Sequence, residues 1–144
     1  MIEIKEVPIE TALIVEKNIP EFTTKYSKES YEDRLKDKTH LITVAFIDNK
    51  PAGYMISYNR YNDGSIYCWM TGVDPNFRKM GLLTQMMEFL KNWSKEKNFN
   101  KIKIKTRNSR REMLAYLIKN NFLLTSVEPK EDITENRILA EIKI

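Results

Sequence analysis

Residues 66–90 read IYCWMTGVDPNFRKMGLLTQMMEFL, and the order of residue types in this stretch decides the fold. Aromatic and branched residues up to Val73 favour a strand, and Asp74-Pro75 favours a turn. Leu83, Met86, Met87, Leu90 and Trp93 then recur at helical spacing, so a helix is expected over residues 80–97. Arg78, Lys79 and Gly81 stand between strand and helix. A helix that begins after a strand bares its first amide hydrogens at the positive end of its dipole, and this combination makes an anion site. Gly81 removes the side chain that would hold a phosphate away from those amides. Arg78 and Lys79 add positive charge beside them, and Thr84 adds a hydroxyl one turn in.

Working outward, MIEIKEV alternates as a strand and PIETALIVEKNI follows as a helix with Pro8 at its start. SKESYEDRLKDK reads as a polar surface helix whose apolar positions are Tyr31 and Leu35. Two β-rich runs flank an Asp-Asn-Lys turn at residues 48–50, where Asn49 tolerates positive φ, and a third strand ends at Val73 with Gly72 marking a bulge. After the long helix come a strand (KIKIKT), a helix (SRREMLAYLIKNN) and two closing strands (FLLTSV, RILAEIKI). Strand, helices, three strands, helix, strand, helix and two strands make a mixed α/β domain. Its parallel pair is expected between Ile66 and Thr106, where a helix joins two strands.

At 144 residues, with 42% hydrophobic and 31% charged, the chain is expected to fold as one globular domain spanning 1–144. No apolar run reaches the length of a membrane span, and the amino terminus lacks a signal-peptide pattern, so a cytoplasmic location is expected. Cys68 and His40 are the only cysteine and histidine, which argues against a metal site and against a Cys–His or Ser–His nucleophile. The net charge of +4 suits an anionic ligand without requiring one.

The stretch lacks the Gly-Lys-Ser/Thr ending of a P-loop and the GxGxxG dinucleotide fingerprint. It resembles the central motif of the GNAT superfamily of N-acetyltransferases: Val73 ending a strand, Arg78, and Gly81 in an Arg-x-x-Gly-x-Gly/Ala pattern, from which Leu83 departs. The following strand (101–106), Asn108, helix and Phe122 extend the resemblance over the last 80 or so residues. It implies a mostly antiparallel sheet with a parallel, splayed pair of strands flanked by helices. It also implies acetyl-CoA as acyl donor and a primary amine, of a small molecule or a peptide, as acceptor. Carried over, Thr71 and Val73 would pair with the pantetheine arm, the amides from Lys79 through Met80, Gly81, Leu82 and Leu83 to Thr84 would hold the pyrophosphate, and Asn108 would touch the pantetheine. The family's acid is commonly a tyrosine on the helix after the fifth strand. Tyr116 is the candidate, although counting back from Asn121-Phe122 puts Leu117 at that position.

The base and the acceptor are less defined. No carboxylate falls within SIYCWMTGV, which leaves a water chain or Asp63, or a chain that has lost turnover. Segments 18–27 and 128–136 are expected to wall the acceptor site. Glu128, Glu131, Asp132 and Glu135 in the second would favour a cationic amine, as would Tyr58, Tyr61, Tyr67 and Trp69. Two readings compete with a transferase: a CoA-binding sensor without turnover, and a nucleic-acid module using Lys101, Lys103 and Lys105. The same lysines, alternating with inward isoleucines, equally suit an exposed sheet edge that discourages aggregation. Whether the working unit is one chain or a homodimer is left open.

Overall fold

Branched and aromatic residues at two-residue spacing build seven strands into one sheet. A computed structural model of the chain describes residues 1–22 and 26–144. The strands are β1 (Ile2–Glu6), β2 (His40–Ile47), β3 (Lys50–Tyr58), β4 (Ser65–Val73), β5 (Lys101–Arg107), β6 (Leu123–Glu128) and β7 (Arg137–Lys143), in the order β1-β2-β3-β4-β5-β7-β6. All neighbours are antiparallel except β4 and β5, which run parallel. The turn joining β2 to β3 has both Asp48 (φ 48°) and Asn49 (φ 69°) left-handed, the geometry that matches the twist of a hairpin. β7 inserts between β5 and β6, so β5 is an interior strand; its lysine stripe does not protect an open edge.

Among the described residues four helices cover the sheet: α1 (Ile9–Glu16), α2 (Lys28–Leu35), α3 (Leu82–Glu96) and α4 (Arg111–Lys119). One apolar cluster joins α3 and α4 to the sheet through Ile66, Met86, Leu90, Ile102 and Leu117. The other joins α1 and α2 through Ala12, Val15, Tyr31, Tyr54 and Ile56. Adjacent β2 residues Leu41 and Ile42 belong to opposite clusters, as the strand period of two requires. Side chains of this size each contribute roughly 1.5–3 kcal/mol when fully buried, so the helices are held mainly by these faces. α2 starts at Ser27, whose hydroxyl accepts from the Ser30 amide at 3.1 Å, and it is pinned by Tyr31, fully buried, and Leu35. Among the described residues no helix is long and apolar enough to cross a membrane.

The parallel pair creates the opening that the site uses. β4 and β5 are in register only from Ser65↔Lys101 to Cys68↔Ile104, although both strands continue to Val73 and Arg107. Beyond that point they part. The β3–β4 register slips between Ile56↔Met70 and Ser57↔Cys68, which leaves Trp69 as the extra residue. The bulge expected at Gly72 therefore lies at Trp69, while Gly72 pairs regularly with Tyr54. Gly72 is glycine for another reason: a Cβ there would fall 2.6 Å from Ile19 Cδ1 and 2.9 Å from Phe22 Cε2, in the connection that follows α1.

Candidate active site

The turn after β4 is set by Asp74, whose carboxylate accepts from the Asn76 amide at 2.9 Å and starts a short 3-10 turn, Pro75–Phe77. Lys79 (φ 64°) and Gly81 (φ 78°) both adopt left-handed backbone around Met80. Lys79 bears about 1 kcal/mol of strain for a conformation that glycine adopts freely. Gly81 precedes α3 with no side-chain cap, and the first helical bond runs from the Gln85 amide to the Gly81 carbonyl at 3.2 Å. The amides of Leu82, Leu83 and Thr84 thus have no acceptor within the helix. A Cβ on Gly81 would meet nothing within 4 Å. Packing does not require glycine there; the backbone angle and the access to those amides do.

These amides open on a cleft of ≈ 610 Å³ that runs from α3 past the end of β4 to α4. Thr71, Val73, Arg78, Lys79, Gly81, Leu82, Leu83 and Thr84 all line it, as does Tyr116. Two of the residues expected to bind cofactor do not. Met80 is exposed outside the cleft. Asn108 is committed elsewhere: its amide group donates to the Ile133 carbonyl at 3.1 Å and its side-chain oxygen accepts from Arg111 at 2.8 Å. It ties the β6–β7 connection to α4, and its neighbours Ser109, Arg110 and Arg111 line the cleft instead. Leu83, the departure from the motif, lines the cleft and also packs on the core.

Tyr116 and Leu117 divide as helix rotation demands. Leu117 is fully buried in the core, whereas Tyr116 lines the cleft together with Thr84. Burial holds the phenol above its ordinary range, with the Thr84 hydrogen bond acting in the opposite direction. The other titratable candidates are spoken for. Asp63 accepts from the Ser65 amide and pairs with Lys103 at 2.6 Å, which holds its carboxyl far below the usual range. Cys68 is 1% exposed, and burial pushes its thiol up to about 12, so it stays a packed, protonated group. His40 is exposed at the start of β2 and shares a hydrogen bond with the Lys38 carbonyl at 2.9 Å.

Arg78 and Glu21 form a feature that sequence reasoning missed. The Arg78 guanidinium lies back on the strand end, donating from Nε to the Val73 carbonyl at 3.2 Å, and pairs with the Glu21 carboxylate. Glu21 borders the cleft and also a second pocket of ≈ 310 Å³ between the parted ends of β4 and β5. Nothing in Pro20-Glu21-Phe22 announces that position; the loop reaches it by lying over Gly72. Residues 23–25 of the expected acceptor wall lie outside the described residues. The acids of the other wall are largely engaged, Glu128 with Lys105 (3.1 Å), Glu135 with Arg107 (3.3 Å) and Asp132 with Thr134. Lys101 and Lys103 likewise pair with Glu141 and Asp63, so the lysine stripe is no free cationic surface for a nucleic acid. Among the described residues, no three His, Cys, Asp or Glu side chains gather where a metal ion would fit.

The same arrangement occurs in known proteins. The acetyltransferase (GNAT) family model matches residues 11–122. The fold is shared with the ribosomal-protein-S18-alanine N-acetyltransferase from Escherichia coli (TM-score 0.83, 16% identity, covering 100% of this chain and 94% of that one). It is shared with Ard1 from Thermoplasma volcanium (TM-score 0.82, 16% identity, 99% and 97% covered). A GNAT acetyltransferase from Elizabethkingia anophelis with acetyl-CoA bound also superimposes (TM-score 0.74, 18% identity, 99% and 98% covered). Among curated proteins no sequence match accompanies these structures. With the family model spanning most of its length, a sheet that parts between β4 and β5, and a glycine-led helix start facing that gap, the chain belongs to the GNAT family of acetyltransferases.

Proposed function

We propose that this chain transfers an acetyl group from acetyl-CoA to a primary amine by direct attack, with donor and acceptor bound together. The observation that carries the proposal is the trio of amides at Leu82, Leu83 and Thr84, which have no acceptor among the described residues, behind a glycine whose side-chain direction is open space. A diphosphate satisfies such amides and the helix dipole together. Arg78 and Lys79 add charge at its edge, and the free edge of β4 at Thr71 and Val73 offers main-chain groups to an extended amide-bearing arm. Ser109 and Arg111 take the place expected of Asn108. Acetyl-CoA, when bound, supplies a thioester whose carbonyl an amine can attack.

The chain's own groups then have separable tasks. The bulge leaves Trp69 without a β3 partner, and a backbone N–H at this point, rather than at Gly72, would stabilise negative charge on the carbonyl oxygen. Tyr116 Oη holds the proton that a leaving sulfur needs, and its raised pKa keeps it protonated through the neutral range. Phosphates drawing on Arg78 would free the Glu21 carboxylate, which borders both pockets, to receive the acceptor's ammonium group, which gives up a proton to solvent before its nitrogen attacks and the C–S bond breaks.

Calorimetry with acetyl-CoA, paired with an assay of free thiol across a panel of amines, tests this reading. Binding together with amine-dependent thiol release is expected. Binding with no release for any amine would favour a sensor, and no binding would end the proposal.

A further inference from the structure

The smaller pocket carries an unbalanced charge that acetyl transfer by itself does not use. Its walls include Lys105, Arg107 and Arg110, and Arg110 stands where this pocket meets the larger cleft, lining both. Lys105 and Arg107 are paired with Glu128 and Glu135. Arg110 has no carboxylate partner among the described residues. Its guanidinium lies 5.2 Å from the centroid of the Phe22 ring and donates one long hydrogen bond, 3.4 Å, to the Glu21 carbonyl. A guanidinium held on an aromatic face retains N–H groups suited to a two-oxygen anion. The nearby Glu21 side chain is the one carboxylate lining this pocket among the described residues. A site with a carboxylate beside an unpaired guanidinium matches a molecule that carries both charges.

We infer that the acceptor bears an anionic group, a carboxylate or a phosphate, in addition to its amine, and that Arg110 selects it. The inference rests on the amine-acetylating reading above. It runs against the cationic acceptor expected from the 128–136 connection, because two of the acids behind that expectation are spent on Lys105 and Arg107.

γ-Aminobutyrate, butylamine and putrescine have similar skeletons and differ in the charge at the far end; aminopropyl phosphate supplies the phosphate arm. Each is measured by thiol release with acetyl-CoA and by calorimetric binding to the CoA-saturated protein. One of the two anionic amines should exceed butylamine by about tenfold in kcat/KM and in affinity, the size of one charge-assisted hydrogen bond, with putrescine weakest. Which of the two leads identifies the anion. Arg110→Gln should level the series while leaving acetyl-CoA affinity within about threefold, and Arg110→Lys should keep part of the preference. Three results overturn the inference alone: no anionic preference (including binding of none of the four), a preference for putrescine, or an Arg110→Gln variant that loses acetyl-CoA along with every amine. Failure of the wild-type protein to bind acetyl-CoA or release thiol with any amine would instead remove the transferase reading, and this inference with it.

Discussion

The two pockets that meet at Glu21 are assembled in different ways. The larger cleft, where we propose the donor binds, draws the part facing the proposed diphosphate from one unbroken run, residues 71–84: strand end, capped turn, left-handed Lys79 and Gly81, helix start. The smaller pocket draws on the connection after α1, the bulged middle of β4, the parted end of β5 and the start of α4. The first is a local conformation and the second a tertiary one. A local site is specified by its own backbone angles, whereas a tertiary one depends on distant contacts such as Ile19 and Phe22 over Gly72.

The largest expected effect breaks the donor side alone. Gly81→Asp forces a side chain into φ 78° and sets a negative charge where phosphate belongs, so acetyl-CoA affinity by calorimetry should fall roughly 100-fold, about 2.7 kcal/mol. A Cβ there meets nothing, so only the left-handed backbone is penalised, by about 1 kcal/mol, and the melting temperature should fall by only a few degrees. Unchanged affinity would show that the helix start does not hold the donor. Tyr116→Phe should lower kcat on the order of 100-fold while acetyl-CoA binding holds. The acid form of Tyr116 is present below its raised pKa and lost as pH rises through it, so the alkaline fall of kcat should lie above the ordinary 10.0 of a tyrosine and disappear in the variant. A full rate in the variant would assign the proton to another group.

Gly72→Ala sharpens the comparison from the tertiary side. Its methyl would collide with Ile19 and Phe22, so thermal unfolding should report a loss of about 1–3 kcal/mol, and the acceptor KM should rise as the loop shifts. Wild-type stability would mean that the loop yields freely. The smallest effect probes the link between the pockets. Arg78 and Glu21 are both partly exposed, and such pairs are worth at most about 1 kcal/mol, so Glu21→Gln should raise acetyl-CoA affinity by no more than about fivefold by releasing Arg78. A fall in affinity would make the pair a structural support for Arg78 rather than a competitor for it.

The contrast also explains what could be read from the chain. Gly81, the basic pair and the α3 apolar stripe are adjacent in sequence, and each has a local physical cause, so the helix start and eight of the ten expected donor residues line the cleft. The strand and helix order was legible from residue periodicity, and the parallel pair from the helix between its strands. What was not legible depends on partners far along the chain. The insertion of β7 beside β5 turned the lysine stripe from an edge into an interior strand with paired charges. The β3–β4 register moved the bulge to Trp69, and Ile133 and Arg111 drew Asn108 away. Glu21 carries no local signal, because its position comes from the loop crossing Gly72. For Tyr116, rotation about α4 settled what counting back from Phe122 left unresolved: Leu117 fills the core, and Tyr116 faces the cleft.

Titrating ¹⁵N-labelled protein with acetyl-CoA, and separately with acetylated pantetheine that lacks the diphosphate, tests the central claim most directly. The account predicts that the amide resonances of Leu82, Leu83 and Thr84 move with acetyl-CoA and hold still with the shortened donor, while those near Thr71 and Val73 respond to both. Donor binding that leaves those three amides unmoved would contradict it.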